Sequence, residues 1–169
     1  LRGSADAAQA VERVARYAAD HPEVEWITGG GWEMSWFADG LPRRELLDAV
    51  VPDRPVYLPN RDAHGAWVNS RVLELCGIDA GTPDPPDGRI ERDPDGTPQG
   101  TLHEGATRLV VNRIPPPSLA DRLAALLAGQ AYLHSMGVTG WQDAIVGDYL
   151  GWLDPLDVYL AAARSGELT

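Results

Sequence analysis

The stretch VYLPNRDAHGAWVNS, residues 56–70, decides how this chain is read. An apolar, β-branched run ends near Leu58. Asn60, Arg61, Asp62 and His64 crowd the next positions, before Gly65 and Trp67. In parallel α/β sheets, ligands bind beyond the carboxyl ends of strands, and ionisable residues gather there. The same residues also suit a polar loop that merely leaves a strand.

Upstream, the pattern alternates. Residues 4–20 read as a helix: Ser4 can cap it, Val11, Val14, Ala15 and Ala18 share a face, and Pro22 stops it. VEWITGGGW (24–32) is a short apolar strand running into three glycines. PRRELLDAV (42–50) is a second helix and RPVYL (54–58) a second strand. Helix, strand, helix, strand is the order of a parallel α/β sheet with right-handed crossovers.

Downstream, the pattern breaks and then resumes. Residues 69–78 form a short helix, capped by Asn69 and stopped by Gly77. The segment 79–106 is rich in Pro, Gly and Asp, and RIER and GTL read as hairpin arms around the turn DPDG. A short helix over 106–114 and PPP at 115–117 close this excursion. Ser118, with Asp121, caps a helix over 118–136 whose face carries Leu119, Leu123, Leu126, Leu127 and Leu133. VTGWQDA (138–144) reads as a third strand, and 155–165 as a last helix ending at Gly166. The expected fold is α/β: early βα units of a barrel (1–60), an inserted α+β subdomain with a hairpin (61–117), and a further helix, strand and helix (118–169). Three such units do not close a TIM barrel. The chain is either a small open sheet or a piece of a larger protein, and the first residues read as mid-protein.

Composition narrows the function. Of 169 residues, 44% are hydrophobic and 23% charged, which is enough for a sizeable core. The net charge of −11 argues against nucleic-acid binding. No apolar run approaches the roughly 18 residues of a membrane span, so no membrane partner is expected. Cys76 is the single cysteine, read as a structural thiol; it fits a reducing cytoplasm. All 14 basic side chains are arginine, so no lysine is available for a Schiff base or a carboxylated metal bridge.

Asp62 and His64 are the first chemical candidates. If the stretch stays extended, both point the same way, and an acid beside an imidazole suits acid/base work. The alternative is an Asx turn and then a capping His. Glu104 either projects into a cleft or caps the helix after it. Trp32 and Trp36, after the glycines, and Trp67 are candidate pocket walls, as is Trp141, while Trp26 and Trp152 read as core. Asp143 sits near the end of the third strand, facing a cleft or capping the next segment. His21 and His134 suit helix C-termini. With His103 they complete no metal-ligand motif, so no metal site is expected within the chain.

Taken in order, WITGGGW, PDRPVYLPNRDAHGAWVNSRVLELCGI, TPDPPDGRIERDPDGTPQGTLHEGA and LHSMGVTGWQDA resemble amidohydrolase family 3. These are YtcJ-like, metal-dependent hydrolases of the amidohydrolase superfamily, which include N-substituted formamide deformylases. The resemblance spans nearly the whole chain. It implies a metal-bearing TIM barrel with a small β-domain, and hydrolysis of C–N bonds in small amide-like substrates by metal-activated water. It places Asp62 and His64 at the pocket edge, and Gly100, Leu102 and Glu104 in a subdomain over the barrel mouth. The family's first-strand H-x-H motif, bridging lysine and later His and Asp ligands are missing. The resemblance therefore implies an internal fragment, inactive alone, whose parent carries a divalent metal, with zinc expected. A free-standing, non-catalytic ligand- or partner-binding domain is the competing expectation. Exposed edges of a truncated barrel would favour self-association.

Overall fold

A computed structural model describes residues 1–147 and 153–169. Trp152 lies outside them. The chain divides into two compact units, Leu1–Ile114 and Pro115–Thr169.

The first unit is built on a five-stranded mixed sheet in the order β1-β2-β3-β5-β4. Its strands are β1 (Ile27–Thr28), β2 (Val56–Pro59), β3 (Gly65–Val68), β4 (Gly88–Arg92) and β5 (Pro98–Glu104). β1 and β2 run parallel, with Ile27 opposite Val56, which is the helix-strand-helix-strand reading of the first 60 residues. The remaining neighbours are antiparallel. β3 was not expected. It turns the polar run after β2 into a hairpin, so residue 61 falls inside one continuous sheet. The strand expected over 24–32 shrinks to Ile27–Thr28 plus an isolated bridge from Trp32 to Asn60. The glycines are the reason: a Cβ on Gly30 would sit 2.9 Å from the Pro59 carbonyl oxygen, and Gly31 has φ +84°.

Helices cover both faces of this sheet. α1 (Ala7–Asp20) buries Ala10, Val14 and Ala18, one turn apart. Asp6 caps it, not Ser4, because the Asp6 carboxylate reaches the Gln9 amide at 2.9 Å. With α2 (Arg44–Asp48) it packs on Ile27, Trp32, Val56, Leu58 and Trp67. On the other face, α3 (Ser70–Cys76) and α4 (Arg108–Val111) pack on Tyr57, Ala66, Val68, Ile90 and Leu102. Successive residues of β2 and β3 therefore serve opposite cores, as the two-residue period of a strand requires. The helix expected over 106–114 is a 3-10 turn, Gly105–Thr107, continued by α4.

α3 has the cap and stop its sequence indicates, with Gly77 in the left-handed conformation. The turn between β4 and β5 is closed by Gly96 N–H donating to Asp93 O and Asp93 N–H to Thr97 O, both at 2.8 Å.

The second unit pairs α5 (Leu119–Ser135) with α6 (Leu156–Ser165). Ser118 and Asp121 form the expected capping box, and Gly166 stops α6. The third strand expected over 138–144 is not formed. A strand needs a neighbour for its amides, and this unit contains no other strand among the described residues. Leu119 and Tyr132 of α5 and Leu156 and Leu160 of α6 remain exposed.

Candidate functional site

The polar end of β2 folds back on itself through its own side chains. Asn60 Oδ1 accepts from Gly65 N–H at 3.1 Å, and Ala63 takes a left-handed φ of +65°. Asp62 Oδ1 accepts from His64 N–H, also at 3.1 Å. Asp62 thus closes an Asx turn, and the side-by-side Asp62–His64 arrangement of an extended chain does not occur.

The partner of His64 comes instead from forty residues along the chain. Gly65 lies opposite His103 in the β3–β5 ladder, so His64 meets Glu104. Glu104 N–H donates to His64 O at 3.0 Å, and His64 Nδ1–H donates to Glu104 Oε1 at 2.9 Å. Both side chains face solvent, 65% and 51% exposed. The bond to Glu104, then its charge, holds the imidazole above its ordinary value of 6.5. Glu104 does not cap the helical turn after it. Its backbone stands at φ 49°, ψ −126°, a conformation that L-residues with a Cβ seldom adopt.

A proton NMR titration is expected to place His64 above 6.5 in the native protein and to move it down in Glu104→Gln. Raising the folded pKa means that the pair's small contribution to stability is present at lower pH and fades as pH rises through the His64 midpoint. An unchanged midpoint in Glu104→Gln would remove the pair from the solution structure.

Beside this turn, Arg61 pairs with Glu33 at 2.7 Å. Two of the four tryptophans expected to wall a pocket, Trp32 and Trp67, do not. Trp32 is 1% exposed and Trp67 fully buried. Their indole N–H groups donate to Leu58 O at 2.7 Å and Arg43 O at 3.0 Å. With Phe37 they form an edge-to-face aromatic cluster. A ring whose one polar atom finds a backbone carbonyl is fully satisfied inside a core.

The remaining candidates are dispersed. His103 Nε2 lies 3.0 Å from Glu91 Oε1, without the alignment of a hydrogen bond. His21 comes at the end of α1, stacked on Tyr17, and His134 sits in the last turn of α5, both as their sequence positions indicate. The Cys76 thiol is pushed up by burial, as a structural thiol should be. In the second unit, Asp143 accepts from Ile145 N–H at 2.9 Å and from the Tyr159 hydroxyl at 3.0 Å. Trp141 Nε1–H reaches the same hydroxyl at 3.5 Å. Thr139, Trp141, Asp143, Leu156 and Tyr159 line a mostly apolar cleft within that unit.

Asn69 does far more than cap a helix. Its Oδ1 accepts from Val56 N–H at 3.0 Å and Val72 N–H at 3.2 Å, and its Nδ2 donates to Val51 O at 2.9 Å and Arg54 O at 2.8 Å. It is fully buried and ties β2, α3 and the loop after α2 together.

Among the described residues, no three His, Cys, Asp or Glu side chains converge as a metal site. The described residues therefore do not by themselves supply the set of about three protein ligands that a catalytic metal takes.

His64, Glu104 and Arg61 thus gather beside the carboxyl end of the parallel β2, the end of a strand at which α/β sheets bind ligands. The family is specific: the chain belongs to the amidohydrolase family, whose model, described as "Amidohydrolase family", matches residues 1–169. It is 34% identical to the putative amidohydrolase YtcJ of Bacillus subtilis, over 86% of this chain and 28% of that protein. It is 35% identical to the N-substituted formamide deformylase of Arthrobacter pascens, over 82% of this chain and 26% of that enzyme. The crystal structure of an uncharacterized metal-dependent hydrolase from Pyrococcus furiosus superposes with a TM-score of 0.58 at 27% identity, covering 99% of this chain and 31% of that one. The chain thus spans less than a third of each of these proteins.

Proposed function

We propose that residues 1–169 form part of the barrel and pocket rim of a metal-dependent amidohydrolase that cleaves C–N bonds of small amide-like substrates by adding water. The observation that carries this reading is the His64–Glu104 pair, held at the end of adjoining strands beside the carboxyl end of the parallel β2. The similarity to a formamide deformylase supports the bond class. The similarity to a metal-dependent hydrolase supports a divalent metal, which we take to be zinc. Its ligands would come from sequence outside these residues, and the part played by this chain is substrate contact. β1, at the end of the sheet, is where a further barrel strand would pair. The exposed leucines of α5 and α6 would meet neighbouring barrel elements, or a second copy if none is present.

No nucleic acid or membrane is assigned as a partner, since the charge of −11 opposes phosphate surfaces and no helix among the described residues is long and apolar enough to cross a bilayer. A lone cysteine fits a cytoplasmic setting.

The test compares residues 1–169 with the protein extended by its reading frame on both sides. Each is assayed for amine release from a panel of formamides and acetamides, with and without added zinc. The extended protein is expected to turn over and the isolated chain to be inert. Stoichiometric zinc binding and turnover by residues 1–169 alone would overturn the assignment of the metal centre to other sequence. Ligand binding without turnover in either form would favour a non-catalytic domain.

A further inference from the structure

Glu104 carries a side chain in a conformation that glycine adopts at little cost. The surroundings hold it there. Its N–H is tied to His64 O at 3.0 Å, its carbonyl accepts from Thr107 Oγ1 at 2.7 Å, and the next residue, Gly105, donates its N–H to Asp87 O at 2.9 Å. A strained residue fixed from both sides points to a purpose for its side chain. The carboxylate spends one oxygen, Oε1, on His64. The other, Oε2, has no hydrogen-bond partner among the described residues, and the side chain is half exposed. A carboxylate accepts and cannot donate, so the group it would recognise is a donor.

We propose that Glu104 Oε2 accepts the N–H of the substrate amide, with His64 as the positioning residue that fixes the carboxylate, so that this pair selects amides bearing an N–H over N,N-disubstituted ones. The inference rests on the amidohydrolase reading and adds to it a specificity residue and its substrate class. A hydrogen bond to a charged acceptor is worth enough to separate the two classes by about tenfold or more.

The experiment measures kcat/KM of the protein, extended by its reading frame, on acyl-matched pairs: N-methyl against N,N-dimethyl amides of formic and benzoic acid. The wild type is expected to favour the N-methyl member by about tenfold or more. Glu104→Gly should remove the preference and raise the melting temperature, because glycine relieves the strain. His64→Ala should weaken the preference through KM more than kcat, at a melting temperature unchanged when measured above the His64 midpoint. His64→Asn, whose Nδ2 can stand where Nδ1 stood, should restore it. Retention of the full preference in Glu104→Gly overturns the proposal. So does a fall in that variant's melting temperature, which would mark Glu104 as held for the fold. A wild type that hydrolyses both members equally also overturns it, while the amidohydrolase reading stands. A wild type that hydrolyses no member of any pair removes that reading, and this proposal with it.

Discussion

Asn69→Ala is expected to lower the stability of the first unit by about 3–5 kcal/mol, a large share of what a domain of this size possesses. The substitution strands three backbone groups at once, the amide of Val56 and the carbonyls of Val51 and Arg54, while the Val72 amide keeps its bond to the Asn69 carbonyl. Each buried group left without a partner costs about 1–3 kcal/mol, reduced where water can enter. Asn69→Asp should be nearly as harmful, since a carboxylate cannot donate to the two carbonyls and its charge would be buried. Asn69→Ser would keep a helix cap but not the links to Val51 and Arg54. Urea unfolding at constant slope is the measurement. A loss of only about 1 kcal/mol, the size of a lost cap alone, would mean that the tie to β2 contributes nothing.

Trp67→Ala is expected to cost about 3–5 kcal/mol, as for other large-to-small core changes. The ring is fully buried between Trp32, Phe37 and α2, and its N–H holds the Arg43 carbonyl. Trp67→Phe should cost less, about 1–2 kcal/mol, since it keeps an aromatic ring and removes one of two donors to the Arg43 carbonyl, which still accepts from Leu46 N–H at 3.2 Å. The same denaturation series separates a core residue from a pocket wall. A wall residue would lose ligand affinity with its unfolding midpoint intact; Trp67 should lose the midpoint first.

These two residues show how far local sequence reaches. Asn69 is legible as an N-cap because a cap is a three-residue affair between a side chain and a nearby amide. Its other three bonds join segments that only the sheet brings together. Trp67 reads locally as a bulky ring in a polar loop, which suggests a pocket. Its burial comes from β3, a strand too short and too mixed, GAWV, to announce itself, and formed because β2 and β5 lie on either side of it. The candidate site divides the same way. His64 and Glu104 each stand out as ionisable groups at element ends, but their pairing depends on the β3–β5 register. Asp62, the near neighbour, is consumed by its own turn.

The sequence by itself determined the helix caps and stops at Ser118, Asn69, Gly77 and Gly166, the β4–β5 hairpin, the parallel pairing of the first two strands and the amidohydrolase family. All but the last are set by interactions a few residues long or by hydrophobic period, and the family by several motifs in order. Tertiary structure alone decided that the polar run after β2 is a hairpin arm, that Trp32 and Trp67 are core, that residues 138–144 form no strand, and that Glu104 completes His64. Each of these depends on which backbone lies alongside. For β3 and for residues 138–144, forming a strand is a contest for hydrogen-bond partners distant in the chain, and no local pattern records its outcome.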